Sequence, residues 1–226
     1  MRKIIILVLS LVLLASLASA ATINVPSQYK TIQKAVNAAK SGDTIYVAAG
    51  TYKEKVLVND KDLIFQGQKV GNTYKYPTVY GFQFSGSADS KTGSGDINGF
   101  KITKYGVSYD YGMPGSNTIR NNYFYNCGIE FTGFPCSGNI VMNNKFSGNY
   151  DYVGIDLYES QGNIIKGNTF YKSKIGLILG DSSTCTSCTK NTFSSCKIGV
   201  QCYGVPDSLI GNIYKGNKKN ISILTE

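Results

Sequence analysis

Apolar and polar residues alternate along most of this chain over runs of only three to five residues, and the runs end in Gly, Asn or Ser. Alternation with period two predicts short half-buried strands, and the small residues predict turns between them. One arrangement recurs. An Asn followed two residues later by an aromatic occurs as Asn98/Phe100, Asn122/Phe124, Asn144/Phe146, Asn168/Phe170 and Asn191/Phe193, then as Asn212/Tyr214. The steps between these asparagines are 24, 22, 24, 23 and 21 residues. After each pair but the last comes Gly with an alternating apolar pair: Gly106-Val107-x-Tyr109, Gly128-Ile129-x-Phe131, Gly154-Ile155-x-Leu157, Gly176-Leu177-x-Leu179 and Gly199-Val200-x-Cys202. A further apolar position lies five residues before the aromatic, at Ile119, Val141, Ile165, Cys188 and Leu209.

A single unit of this kind cannot bury its apolar face, whereas stacked units share a continuous core. Coils of about two dozen residues with short strands roughly 4.8 Å apart make an all-β solenoid, a right-handed parallel β-helix. Asn suits the corner because it tolerates left-handed backbone angles, and its amide can bond the next Asn in the stack. The aromatic two residues on faces inward and stacks on its neighbours. Leucine is too rare, and helices too few, for a leucine-rich horseshoe. From Thr31 to Lys40, Ile32, Ala35, Val36 and Ala39 share one helical face with Gly42 beyond it, which predicts a helix capping the first coil. Strands are expected at 44–47, 55–58, 63–65 and 78–84, followed by a Ser/Gly/Asp loop from Ser85 to Asp96. The expected domain spans residues 21–226 and holds about seven to nine coils.

The N-terminus adds a location. Arg2 and Lys3 precede an apolar run that ends in Ala18-Ser19-Ala20, the pattern of a signal peptide cut after Ala20. No second apolar run is long enough to span a membrane. The mature chain is therefore expected to be secreted, at the cell surface, or periplasmic in a host with an outer membrane. Loss of Arg2 and Lys3 removes two positive charges from a formal +9. The remaining lysines are scattered, and Lys215, Lys218 and Lys219 do not make a nucleic-acid site. The chain has no His and no Trp, but it has 17 Tyr.

The opening stretch from Tyr29 to Val56, with Thr31-Ile32-Gln33-x-Ala35-Val36 and Gly50-x-Tyr52-x-Glu54, is similar to the start of pectin methylesterases and NosD-like proteins. With the repeats that follow, the mature chain resembles the pectin-lyase-like parallel β-helix superfamily. That resemblance implies the fold and leaves the activity open, since many functions share the scaffold. The esterase catalytic segments are missing: Asp62-Leu63-Ile64-Phe65-Gln66-Gly67 looks like one, but its position marks an early strand with Leu63 and Phe65 facing in. Polygalacturonase-type sites need a His, and so does a NosD-like copper role, for which Met113 and Met142 are the remaining thioether donors.

Within each Gly-apolar-x-apolar strand, x must face outward. The x residues are Ser108, Glu130, Asp156, Ile178 and Gln201, so Glu130 and Asp156 are expected on neighbouring coils about 5 Å apart. Two carboxylates this close repel unless one is protonated or a cation lies between them. The pair can serve as a Ca²⁺ site, as an acid and base for sugar chemistry, or as two acids on a solvated face. Asp110, Thr132, Tyr158 and Tyr203 belong to the same face, flanked by Lys104, Lys174 and Lys197. In the lyase relatives such a strip is where polysaccharide binds. Arg120, the one arginine of the mature chain, is expected on a different strand.

Six cysteines, Cys127, Cys136, Cys185, Cys188, Cys196 and Cys202, are disulfide candidates in an exported chain. Cys127 and Cys196 share a ladder position three coils apart, roughly 14 Å on the coil spacing, which is too far for a bridge. Cys188 and Cys202 occupy inward positions as small core residues, and the pairing stays open. Asn220-Ile221-Ser222 is a glycosylation sequon near the C-terminus. Together these features predict a non-catalytic protein that binds a polysaccharide or cell-wall glycan, or builds a surface, through Ser108, Asp110, Glu130, Asp156, Tyr158, Gln201 and Tyr203. The alternative is a polysaccharide-active enzyme, a Ca²⁺-dependent lyase or an esterase-like hydrolase, with Glu130 and Asp156 holding the metal or acting as acid and base.

Overall fold

A computed structural model describes residues 19–86, 93–110, 115–132, 136–204 and 209–224. Apart from Ser19 and Ala20, the expected leader lies outside them, as do Met113 and the middle of the Ser85–Asp96 loop. Eight parallel strands stack in a first sheet: Thr22–Val25, Thr44–Val47, Leu63–Gly67, Gly95–Asn98, Thr118–Arg120, Ile140–Met142, Asn163–Lys166 and Cys185–Thr189. A second sheet bends around the rest of each coil in two arms. The aromatic arm holds Tyr123–Tyr125, Lys145–Ser147, Thr169–Tyr171, Thr192–Ser194 and Ile213–Lys215. The cleft arm holds Ile129–Thr132, Val153–Tyr158, Ile175–Leu179, Ile198–Tyr203 and Lys219–Leu224. Three longer strands, Thr51–Asn59, Thr78–Ser85 and Lys101–Tyr109, run through both arms. The result is the expected right-handed parallel β-helix.

Its interior is built from repeated contacts one coil apart. The fully buried rings of Phe124, Phe146, Phe170 and Phe193 lie nearly parallel, with successive centroids 4.6, 4.8 and 4.8 Å apart, and Tyr214 continues the column at 5.3 Å. A second column stacks Phe84, Tyr109 and Phe131 at 4.7 and 5.0 Å, and Leu157, Leu179 and Cys202 follow in register. Beside the first column runs an amide ladder. Asn168 Oδ1 accepts both the backbone N–H of Asn144 (2.9 Å) and its side-chain Nδ2 (3.1 Å), and Asn168 Nδ2 donates to Asn191 Oδ1 (3.1 Å) and Val141 O (2.8 Å). Asn122, Asn144 and Asn191 repeat the pattern. A buried polar side chain must find partners, and here each coil supplies them to the one before.

Three details differ from expectation. The left-handed corner residue is the one before each ladder Asn, namely Asn121, Asn143, Gly167, Lys190 and Gly211, so the ladder side chains are selected for their amides alone. The first repeat unit is offset by two residues: Phe124 sits over Ile102, and the backbone of Phe100 fills the Asn position by donating to Asn122 Oδ1 at 2.9 Å. Asn98 lies in the first sheet instead and bonds Gln66 and Asn121. A second buried ladder, Asn117–Asn139–Asn163, links successive coils at 2.8 and 3.0 Å.

The helix Ile32–Ala38 covers the first coil with Ile32, Ala35, Val36 and Ala39 buried. Its unpaired first-turn N–H groups are met from the solenoid and from the cap: Glu54 accepts from Ile32 N (3.1 Å) and Gln33 N (2.9 Å), and the N-cap Thr31 accepts from Lys34 N (3.2 Å). Gln33 in turn exchanges bonds with the backbone of Leu57. Leu63 and Phe65 face inward in an early strand as expected.

Removing Asn168 leaves the backbone and side-chain N–H groups of Asn144 without their acceptor and takes a donor from Asn191 Oδ1 and Val141 O. Each buried polar group left unpaired costs about 1–3 kcal/mol. Asn168→Ala is therefore expected to lower stability by about 3 kcal/mol in urea denaturation. Asn143→Gly, at the exposed left-handed corner beside it, should change stability by less than about 1 kcal/mol.

Candidate ligand-binding cleft

The cleft arm carries the predicted outward column without a break. Strand register places Ser108, Glu130, Asp156, Ile178 and Gln201 on successive coils. Alternation fixes this: Ile129, Phe131, Ile155 and Leu157 are buried in the core, so the residues between them face out. Glu130 is exposed and Asp156 half-buried. Burial raises the Asp156 carboxyl above its ordinary 3.8, and the neighbouring Glu130 charge adds to the shift.

Two hollows of about 340 Å³ each meet at these acids, and both count Glu130 and Asp156 among their walls. Toward the N-terminal edge of the arm the first is closed by Lys104, Tyr105, Asn126 and Tyr152. Lys104 Nζ sits over the Tyr105 ring at 5.0 Å and over Tyr80 at 5.3 Å, which holds the ammonium at the rim. The second is closed by Thr132, Tyr158, Asp181, Gln201 and Tyr203. Register makes Tyr158, Gly180 and Tyr203 one column, so two half-exposed rings stand two coils apart with no side chain between them. The opening is roughly 10 Å on the coil spacing. Gly180 is required there, because a Cβ would fall 2.5 Å from Leu157 O.

Of the predicted strip, Glu130, Asp156, Tyr158, Gln201 and Tyr203 come together around the hollows. Ser108 lies one coil before Glu130 and outside both, and Asp110 is tied to Gln83 Nε2 at 2.8 Å. Lys174 and Lys197 are exposed outside both hollows. Arg120 stands on the first sheet in a column with Asn98 and Met142, away from the acids. Tyr105 and Asp181 were not legible as site residues, since Tyr105 precedes the Gly of its strand and Asp181 follows the strand end. For a cation, Glu130 and Asp156 offer two carboxylates. Among the described residues no three His, Cys, Asp or Glu side chains are grouped to hold a metal.

The cysteines are mostly core residues. Cys188 and Cys202 face inward beneath Tyr214, and burial pushes the Cys202 thiol up to about 11. Cys127 and Cys136 are buried with thiols pushed up to about 12 by desolvation. Cys196 accepts from the Ser173 hydroxyl in the turn before the cleft arm. No two of these five buried thiols are joined to each other.

Comparison with known families finds a match. The model for NosD, described as a periplasmic copper-binding protein, matches residues 36–226. No curated protein and no solved structure matches the chain. No helix among the described residues is long and apolar enough to cross a membrane.

A carboxyl whose pKa rises on folding is bound best when protonated, so it contributes stability at low pH and loses it as pH climbs through the folded value. Asp156→Asn is expected to raise stability at pH 7 by up to about 1 kcal/mol, the scale of a partly solvated charge pair. The gain should vanish below the ordinary value of 3.8, where the wild-type carboxyl is protonated in both states. Glu130→Gln, which removes only the second cause, should give a smaller gain. Urea midpoints of the three proteins across pH 3 to 8 measure both effects.

Proposed function

The chain belongs to the NosD family, and on that premise we propose that it is an exported β-helix protein whose cleft arm binds a glycan without turning it over. The observation carrying this reading is the Tyr158–Gly180–Tyr203 opening beside the Glu130/Asp156 pair. Sugar rings have apolar faces that stack on aromatic rings and hydroxyls that bond carboxylates and amides. A ring entering between the two tyrosines has Ile178 beneath it, Asp156 and Gln201 on either side, and Glu130 one coil beyond Asp156. The hollows adjoin along the solenoid, so a chain of several sugar units can lie across the coils.

The same geometry favours binding over turnover. Glycoside hydrolysis places two carboxyls on either side of the scissile bond. Glu130 and Asp156 instead stand side by side on one face of whatever lies in the cleft. A polysaccharide-active enzyme is the second reading, and the raised Asp156 carboxyl is the observation in its favour, since a general acid must hold its proton. Arg120 on another face supplies no guanidinium to such a site.

The family description includes copper. The described residues do not fit a copper centre: the chain has no His, and Met142 lies half-buried on the first sheet, away from the cleft. Among the described residues the thiols, like the carboxylates, form no group of three His, Cys, Asp or Glu side chains that could hold a metal.

The test is retention on immobilised polysaccharides, with released sugars and unsaturated products followed in parallel. Wild type is expected to be retained without product. Tyr158→Ala and Tyr203→Ala should each weaken binding at least tenfold, about 1.4 kcal/mol, with the fold intact by circular dichroism. Product formation that disappears in Glu130→Gln would establish the enzyme instead.

A further inference from the structure

Asp43 occupies the turn between the capping helix and the strand Thr44–Val47, and it is only 8 % exposed. Its Oδ1 accepts from the backbone N–H of Ala21 at 2.8 Å and its Oδ2 from that of Lys40 at 2.8 Å. The Ala21 carbonyl accepts from Thr44 N, also at 2.8 Å, so both backbone groups of Ala21 are fixed against the start of the first sheet. A cavity of about 360 Å³ lies beside them, walled by Ser19, Ala20, Ala21, Lys40, Ser41 and Asp43. Ala21 is also the residue that follows the small-x-small sequence Ala18-Ser19-Ala20.

We propose that export processing hydrolyses the Ala20–Ala21 peptide bond and that Asp43 is the built-in receptor for the α-ammonium this creates. Water adds across the bond: the Ala20 carbonyl carbon takes the hydroxyl and departs with the leader as a carboxylate, and the Ala21 nitrogen takes the proton. A leader peptidase of the export machinery supplies the hydrolytic site. The new amine is protonated at neutral pH. It keeps its place 2.8 Å from Asp43 Oδ1, where a neutral amide bond becomes a charge-assisted one, roughly twice as strong. Its remaining N–H groups face the space that Ser19 and Ala20 vacate. The carboxylate is ready for it, because the Lys40 and Ala21 amides hold Asp43 below the ordinary carboxylate range, with Lys40 and Lys61 as the other cations nearby. Cleavage thereby fastens the first strand at the capped end, and precursor and mature protein differ in stability by one ion pair.

The test begins with the mass of the protein recovered from an exporting host, expected to correspond to a chain starting at Ala21. Protein starting at Ala21 is then compared in urea with protein starting at Ala20, which keeps the amide contact but moves the charge one residue away. The Ala21 form should unfold with an equilibrium constant about fivefold smaller, close to 1 kcal/mol. Asp43→Asn should erase that difference. An exported protein that starts elsewhere, or an equal loss from Asp43→Asn in both forms, would overturn the proposal. Should Asp43→Asn fail to fold, acetylation of the Ala21 amine in the wild-type protein decides: a lowered urea midpoint supports the ion pair and an unchanged one refutes it.

Discussion

One vertical spacing governs this molecule. Parallel coils lie about 4.8 Å apart because backbone hydrogen bonds set that distance, and residues in register on successive coils stand directly above or below one another. The spacing suits flat rings, which stack at 4.6 to 5.3 Å from Phe124 to Tyr214. It suits primary amides equally, because an Asn donor reaches the next Asn acceptor at about 3 Å. It does not suit two carboxylates. Where Glu130 and Asp156 meet at the same distance, burial and repulsion hold a proton on Asp156 to higher pH. The interactions that stabilise the interior and the strain at the cleft share one geometric origin.

The same rule explains where variety is allowed. Inward positions are held to apolar residues, Cys, Tyr or Asn by what lies above and below. Outward positions on the cleft arm change freely, from Ser108 through Glu130, Asp156 and Ile178 to Gln201. A solenoid can thus write a binding surface one residue per coil without disturbing its core, which is why family membership defines the scaffold while the cleft must be read from its own side chains. The motifs that link this chain to its relatives are structural in this light. Gln33 and Glu54 hold the capping helix on the first coil, and neither enters the cleft.

Most of the fold was legible because the repeat is a physical period rather than a motif. The phases of Phe124, Phe146 and Phe170, and with them the adjacency of Glu130 and Asp156, came directly from counting. The Asn117–Asn139–Asn163 ladder went unread, although each member precedes a first-ladder Asn by five residues, because it carries no aromatic partner to draw notice. The two-residue offset at Phe100 was not legible, because a backbone N–H can replace an asparagine amide with no trace in the residue pattern. The cleft was half legible: period two assigns a face, but it does not say that a Gly at 180 opens a gap between two tyrosines, or that Tyr105 and Asp181 turn in from neighbouring corners. Ala21 and Asp43 are 22 residues apart in the same way as the rungs, yet their contact is made by a main-chain nitrogen.

The most direct measurement of the central claim is the set of proton–proton Overhauser contacts of the Phe146 ring in the folded protein. Stacked coils predict contacts to the rings of Phe124 and Phe170, together with backbone contacts between Glu130 and Asp156. Contacts from Phe146 confined to its neighbours in sequence would contradict the stack, and the shared wall of the cleft would go with it.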